Sequence, residues 1–291
     1  MQFDAIIEAN PLPNGKGQGV LCSKDLLGVR QQPLIEIFSS GGGTQSTAIA
    51  VLIVQGKLPK PAMVCIADTG REMPTTWQYF KAITAPALEK IGVPTHIVTA
   101  KEWARERVRG IFTAGHLQIP AFSNMSGEAS KLSAFCSSHW KQETIDRWLS
   151  QTHGLTRSKY RKWIGFSMDE TNRVLRMQGG KEYKAGLIRF PLVDDVPTKR
   201  HEAIRIVENA GWPPPPRSRC WMCPNQSDYE WAEVKNEYPE LWNEAVNMDE
   251  EIRQTDKHAY MHSAIKPLRE ANLDKPDDLF SASCPSGECF L

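Results

Sequence analysis

The chain has 291 residues, 41% of them hydrophobic, with 35 basic against 34 acidic side chains. That is enough for one large or two modest domains with a proper core, and it excludes wholesale disorder. A net charge of +1 gives no global bias toward nucleic acid or membrane and leaves only local basic patches to consider.

Residues 1–32 read as an irregular N-terminal extension. The opening MQFDAIIEANPLPNGKG carries Asp4 and Glu8 and lacks the basic-then-apolar order of a signal peptide. No run of roughly 18 apolar residues follows anywhere, so no membrane span is expected. A cytoplasmic location is the expectation. Leu34–Phe38 reads as a buried strand, and Thr47–Gln55 as a helix ended near Gly56. Met63–Ala67 is a second strand with DTG at its carboxyl end, and PTTWQYFKAITAPALEKIG a second helix. Thr95–Ala100 and Trp163–Phe166 supply further strands. Strands alternating with helices predict an α/β fold, a parallel twisted sheet with flanking helices, over residues 33–205. Residues 206–291 read as a mainly helical, cysteine-containing C-terminal region. HEAIRIVENAGW is a helix, PPPPRSRCWMCP a rigid loop, and FSASCPSGECFL a mobile tail.

The turn SSGGGTQST joins the first strand to its helix. Open α/β sheets bind ligands at the carboxyl ends of their strands. Glycines there let backbone N–H groups approach phosphate oxygens, and the helix N-terminus adds its dipole. Ser39, Ser40, Gly41, Gly42, Gly43, Thr44, Gln45 and Ser46 are therefore candidate nucleotide-binding residues, with Thr47 as a further hydroxyl. Neither the lysine-bearing phosphate loop G-x-x-x-x-G-K-[ST] nor G-x-G-x-x-G occurs in this turn. An ordinary tight turn is the plainer reading, but it would not need three consecutive glycines.

The loop resembles the PP-loop S-G-G-x-D-S of ATP pyrophosphatases, with Gln45 where the aspartate usually stands. ADTGREMPTTWQYF resembles the D-T-G-x-x-x-P-E-T segment of the PAPS reductase family. FCSSHWKQETIDRWL resembles that family's C-T-x-x-x-K-x-x-P segment, with Cys136 and Lys141 in register. IGFSMDETNRV looks like its G-x-R-x-x-E-S-x-x-R segment, with Glu170 and Arg173 matching. RFPLVDDVPTKRHEAIRIVENAGWPPPP looks like its P-L-x-x-W segment, with Asp195 near the missing tryptophan. The resemblance runs in consistent order over roughly residues 34 to 225. It implies a PP-loop fold of the HUP, Rossmann-like kind. It also implies binding of ATP with Mg²⁺, or of a sulfonucleotide, with Asp68, Thr69, Gly70 and Arg71 joining the nucleotide site. Lys141 and Arg173 would be catalytic cations.

Seven cysteines are too few for a disulfide scaffold. The resemblance places Cys136, Cys220 and Cys223 by the nucleotide, where family reductases hold an iron–sulfur cluster. A [4Fe–4S] cluster is the leading expectation; Zn²⁺, or no metal at all, are the alternatives. Glu288-Cys289 matches the start of the reductases' C-terminal nucleophile motif, which makes Cys289 a catalytic candidate; the role of Cys284 stays open. Cys22 and Cys65 read as structural. His139, between Cys136 and Lys141, is the histidine that merits testing.

The expected function is an ATP pyrophosphatase that cleaves between the α- and β-phosphates and adenylylates an acceptor oxygen for sulfur insertion. The favoured acceptor is DNA, as in the PP-loop subunits of phosphorothioation systems. A cysteine desulfurase would supply sulfur, and DNA-handling subunits and nucleic acid would be partners. RSKYRKW and KEWARERVRG offer basic surfaces interleaved with aromatics, or solvated faces. The alternatives are a thiol-dependent sulfonucleotide reductase, a tRNA thiolation enzyme and a non-catalytic nucleotide-binding subunit.

Overall fold

The computed structural model describes residues 33–273, except 107, 108, 114, 115, 126 and 128. The N-terminal extension with Cys22, and the tail with Cys284 and Cys289, lie outside the described residues.

Five parallel strands make the central sheet: β1 (Ile35–Ser40), β2 (Met63–Asp68), β3 (Thr95–Thr99), β4 (Tyr160–Ile164) and β5 (Ile188–Arg189). Their order is β3-β2-β1-β4-β5. The chain builds outward from β1 to β3, then crosses back to place β4 on the other side of β1. The order reverses between β1 and β4, and the carboxyl ends of these two strands frame a crevice.

Both faces of the sheet are covered, so its strands are apolar on both sides. Phe38, Val64 and Trp163 face helix α1 (Thr44–Val54) and share a core with Ile49, Leu52 and Ile53. Ile37, Met63, Cys65 and Tyr160 face helix α4 (Glu143–His153), where they meet Ile145, Trp148 and Leu149. Between β2 and β3 the chain forms α2 (Pro74–Tyr79), a π turn at Phe80–Thr84, and α3 (Ala85–Lys90). Helix α1 is buried nearly all round because α6 (Arg200–Asn209) packs on its outer side through Ala203 and Val207. This explains the uninterrupted run AIAVLIV: a helix enclosed on all sides needs no polar stripe. Cys65 is fully buried in mid-strand, and burial pushes its thiol up to about 12.

Helix α5 (Thr171–Gln178) follows β4, and α7 (Asp228–Glu237) and α8 (Pro239–Thr255) close the C-terminal part. These last two pack through Trp231 and Trp242, edge to face at 6.1 Å. Their core also includes Met73, Trp140, Trp221 and Met222, so it is continuous with the end of the main sheet. Buried Asp249 accepts the backbone N–H groups of Met261 (3.0 Å) and Leu268 (2.9 Å), which pins the closing segment to α8. Among the described residues no helix is long and apolar enough to cross a membrane.

Helix α1 begins at Thr44, three residues before the position its sequence suggests. Gly43 is its N-cap in extended conformation, with no capping side chain, so the usual serine or threonine signal misplaces the start. The N–H groups of Thr44, Gln45 and Ser46 thus belong to the first turn and have no helical acceptor.

At the far edge, His96 on β3 meets Trp148 (5.0 Å) and His153 (6.2 Å, ring to ring). Burial, and for His96 the charge of His153, holds both imidazoles below their usual range. The unfolded chain therefore binds more protons than the fold once the pH drops below about 6.5. Stability is expected to be fully present at pH 7 and above and to fall on acidification. Urea midpoints at pH 7.5 and pH 5 check this. His96→Gln with His153→Gln should flatten the difference; an unchanged slope would contradict it.

Candidate functional site

One cavity of about 260 Å³ opens at the crevice between β1 and β4. Ser39, Ser40, Gly41, Gly43, Thr44, Gln45 and Ser46 line one side, and Lys141, Arg173, Cys136, Cys220 and Cys223 line others. The fold brings these sequence-distant groups together: β1 and β4 end at the crevice, and the π turn before α4, helix α5 and the proline-rich loop line it.

The loop is held by its own side chains. Gly41 N–H donates to Ser46 Oγ (2.8 Å), Gly42 N–H to Ser40 Oγ (3.2 Å), and Thr47 Oγ1–H to the Gly43 carbonyl (3.0 Å). Gly42 lies behind the wall with φ +73°, where a Cβ would stand 2.7 Å from Thr76 Cγ2. At Gly43 a Cβ would meet the Ser218 backbone N at 3.0 Å, so the proline-rich loop packs directly on the glycine loop. Gly42 is therefore required by geometry, and Gly43 sits in a tight contact that a side chain would strain.

Gln45 Nε2 donates to Glu170 Oε2 (3.4 Å), and Glu170 also accepts Ser167 N–H (3.1 Å) and pairs with Arg173. A neutral amide suits this place, since a carboxylate there would face Glu170. Arg173 is 8% exposed and lies over the ring of Phe166 at 4.3 Å.

The π turn Ser137–Gln142 carries Lys141 and begins directly after Cys136. Its wide turn puts both on the same wall. Lys141 Nζ pairs with Glu72 Oε1 at 2.6 Å, and Cys220 Sγ–H donates to the same oxygen at 3.6 Å. Burial works against the Lys141 charge, but Glu72 and the nearby cysteines outweigh it and raise the ammonium pKa. Burial, then Glu72, pushes the Cys220 thiol well above its usual value despite Lys141. Burial likewise raises Cys136. These two thiols are protonated at neutral pH, so a metal would have to displace their protons.

Asp68, Thr69, Gly70 and Arg71 do not line the cavity. Asp68 Oδ1 accepts Gly70 N–H (2.8 Å) and Thr69 Oγ1 accepts Arg71 N–H (3.2 Å), which shapes the turn after β2. Arg71 lies over the Trp140 ring at 4.3 Å. His139 is bonded to Gln118 (2.6 Å) and stacked on Phe135, outside the wall.

The wall contains residues that the motifs did not single out: Glu72, Lys162, Arg200, Arg217, Ser218 and Arg219. Arg217 pairs with Glu230, and Arg219 with Glu233 (2.5 Å), which ties the proline-rich loop to α7. The only sequence hint was their place beside C-x-x-C. Six basic and two acidic side chains line the cavity among the described residues, a balance that suits an anion.

No protein-family model, curated protein or solved structure matches the chain.

Several charges of the two basic stretches have partners within the chain. Arg157 pairs with Glu182 (2.9 Å), Arg161 with Glu36 (2.9 Å) and Lys162 with Asp146. Arg109 donates to the Ala104 carbonyl at 3.0 Å and the Glu102 carbonyl at 3.1 Å. As for a metal, no three Cys, His, Asp or Glu side chains among the described residues form a ready ligand group. The donor set itself fits a thiophilic ion or cluster. Three cysteines share the wall with Glu72, whose Oε2 is buried and has no hydrogen-bond partner among the described residues.

Proposed function

We propose that the chain is a PP-loop ATP pyrophosphatase of the PAPS reductase kind. It would cleave ATP between the α- and β-phosphates and adenylylate an acceptor oxygen in support of sulfur insertion. The observation that carries this reading is the single cavity in which a glycine loop, a helix N-terminus, buried cations and three thiols meet.

The unspent amides of the first turn of α1 bind the phosphate chain, and its dipole favours their charge. Arg173, oriented by Glu170, faces the same space and offsets charge that develops on the leaving pyrophosphate. Lys141 lines the same cavity beside the thiols and stays cationic, so it can bind the acceptor or the α-phosphate. The proline-rich loop on Gly43 excludes water from the phosphates. Bound Mg²⁺ would neutralise phosphate oxygens, and a cluster or Zn²⁺ on Cys136, Cys220 and Cys223 would supply a site for sulfur. The sequence resemblance, rather than the cavity, selects DNA as acceptor and a cysteine desulfurase and DNA-handling subunits as partners.

Protein purified without air tests the reading. It is expected to carry iron or zinc and to release pyrophosphate from ATP. Sulfite release from a sulfonucleotide with thioredoxin, without ATP turnover, would replace it with a reductase. Nucleotide binding with neither activity would leave a holder of nucleotide.

A further inference from the structure

We propose that Glu72 is a fourth ligand, beside Cys136, Cys220 and Cys223, of a metal site at the inner end of the cavity. The inference rests on the reading that these three thiols hold a metal.

Glu72 and Cys220 are antiparallel bridge partners, although 148 residues separate them. The flanking bonds are Met73 N–H to the Arg219 carbonyl (3.0 Å) and Trp221 N–H to the Arg71 carbonyl (2.9 Å). With the bonds on either side, this is the close, non-hydrogen-bonded type of pair, in which opposing side chains approach most nearly. The main chain therefore fixes the carboxylate beside the thiol.

The two oxygens of that carboxylate are used unequally. Oε1 takes Lys141 Nζ at 2.6 Å and the Cys220 thiol at 3.6 Å. Oε2 is buried, on a side chain only 3% exposed, and has no hydrogen-bond partner among the described residues. A buried acceptor without a donor is costly, and a cation is the natural partner for it. Three sulfurs leave one position of a tetrahedral ion, or one iron of a cluster, without a protein ligand. Oε2 is placed to take it until a sulfur ligand displaces it, while Lys141 stays on Oε1 and orients the group. On binding a divalent ion each thiol gives its proton to solvent, and no electron is transferred. Binding requires the four side chains to turn toward one another.

Anaerobic Co²⁺ titration tests the ligand set directly. Wild-type protein is expected to bind one Co²⁺ with thiolate charge-transfer and tetrahedral ligand-field bands. E72Q removes the charge. E72D keeps the charge beside Lys141 but shortens the reach, so it carries the test should E72Q fail to fold. Each variant is expected to bind Co²⁺ at least about tenfold more weakly. The ligand-field bands should shift while the thiolate charge-transfer per bound ion is kept. Wild-type affinity and spectrum in both variants would overturn the role of Glu72. A wild-type protein that takes up no Co²⁺ would instead overturn the three-thiol reading, and this inference with it.

Discussion

Lys141→Met is expected to lower the unfolding free energy by about 3–5 kcal/mol, the cost of breaking a buried ion pair from one side. Glu72 is only 3% exposed, and Lys141 lies 2.6 Å from it. Without the ammonium, the carboxylate keeps the Cys220 thiol, at 3.6 Å, as its hydrogen-bond partner among the described residues. A buried charge in that position either stays at high cost or takes up a proton. The double variant K141M/E72Q should recover most of the loss, because it removes the stranded charge along with its partner. Urea denaturation at pH 7.5 measures both. Equal stability of K141M and wild type would show that the pair is not the buried link described above.

Gly42→Ala should strike the other end of the cavity. The residue has φ +73°, and a Cβ would lie 2.7 Å from Thr76 Cγ2 and 3.1 Å from Ile66 Cδ1. Left-handed strain and overpacking together predict a loss of about 2–4 kcal/mol. Relief of the clash by a shift of the loop would displace the amides of Gly43 and Thr44. ATP affinity by calorimetry is therefore expected to fall at least about tenfold, the equivalent of about 1.4 kcal/mol. Gly41→Ala is the stability control. Its Cβ would find only Ser46 Oγ, at 3.6 Å, and its backbone is not left-handed, so the melting temperature should hardly move. Identical melting of G42A and G41A would contradict the loop geometry.

These two positions also mark what the sequence could and could not reveal. The glycine turn, the strands either side of it and the enclosed helix AIAVLIV rest on local pattern, and local pattern is readable from a single chain. The helix start reads late in sequence because Gly43 caps it without a side chain. The partners of the candidate residues were not readable. Glu170 reaches Gln45 across 125 residues and Cys220 reaches Glu72 across 148, and no spacing rule connects them. Nothing in the sequence separates Glu72 from the other charges near DTG. Only the antiparallel bridge to the C-x-x-C segment turns it inward. The pairing of the basic stretch RSKYRKW is equally hidden in sequence. Its charges look like a surface in sequence, yet Glu36, Asp146 and Glu182 pair with three of them. Arg217 and Arg219 gain meaning only when the proline-rich loop is seen resting on Gly43.

In the proposed reaction this cavity grips the pyrophosphate end of ATP, and the α–β bond breaks there. Anaerobic protein with Mg²⁺, duplex DNA and ATP labelled at the γ-phosphate tests it most directly. Label is expected in pyrophosphate, and its release should be lost in G42A. Label in orthophosphate, or ATP that stays intact while bound to the protein, would contradict it.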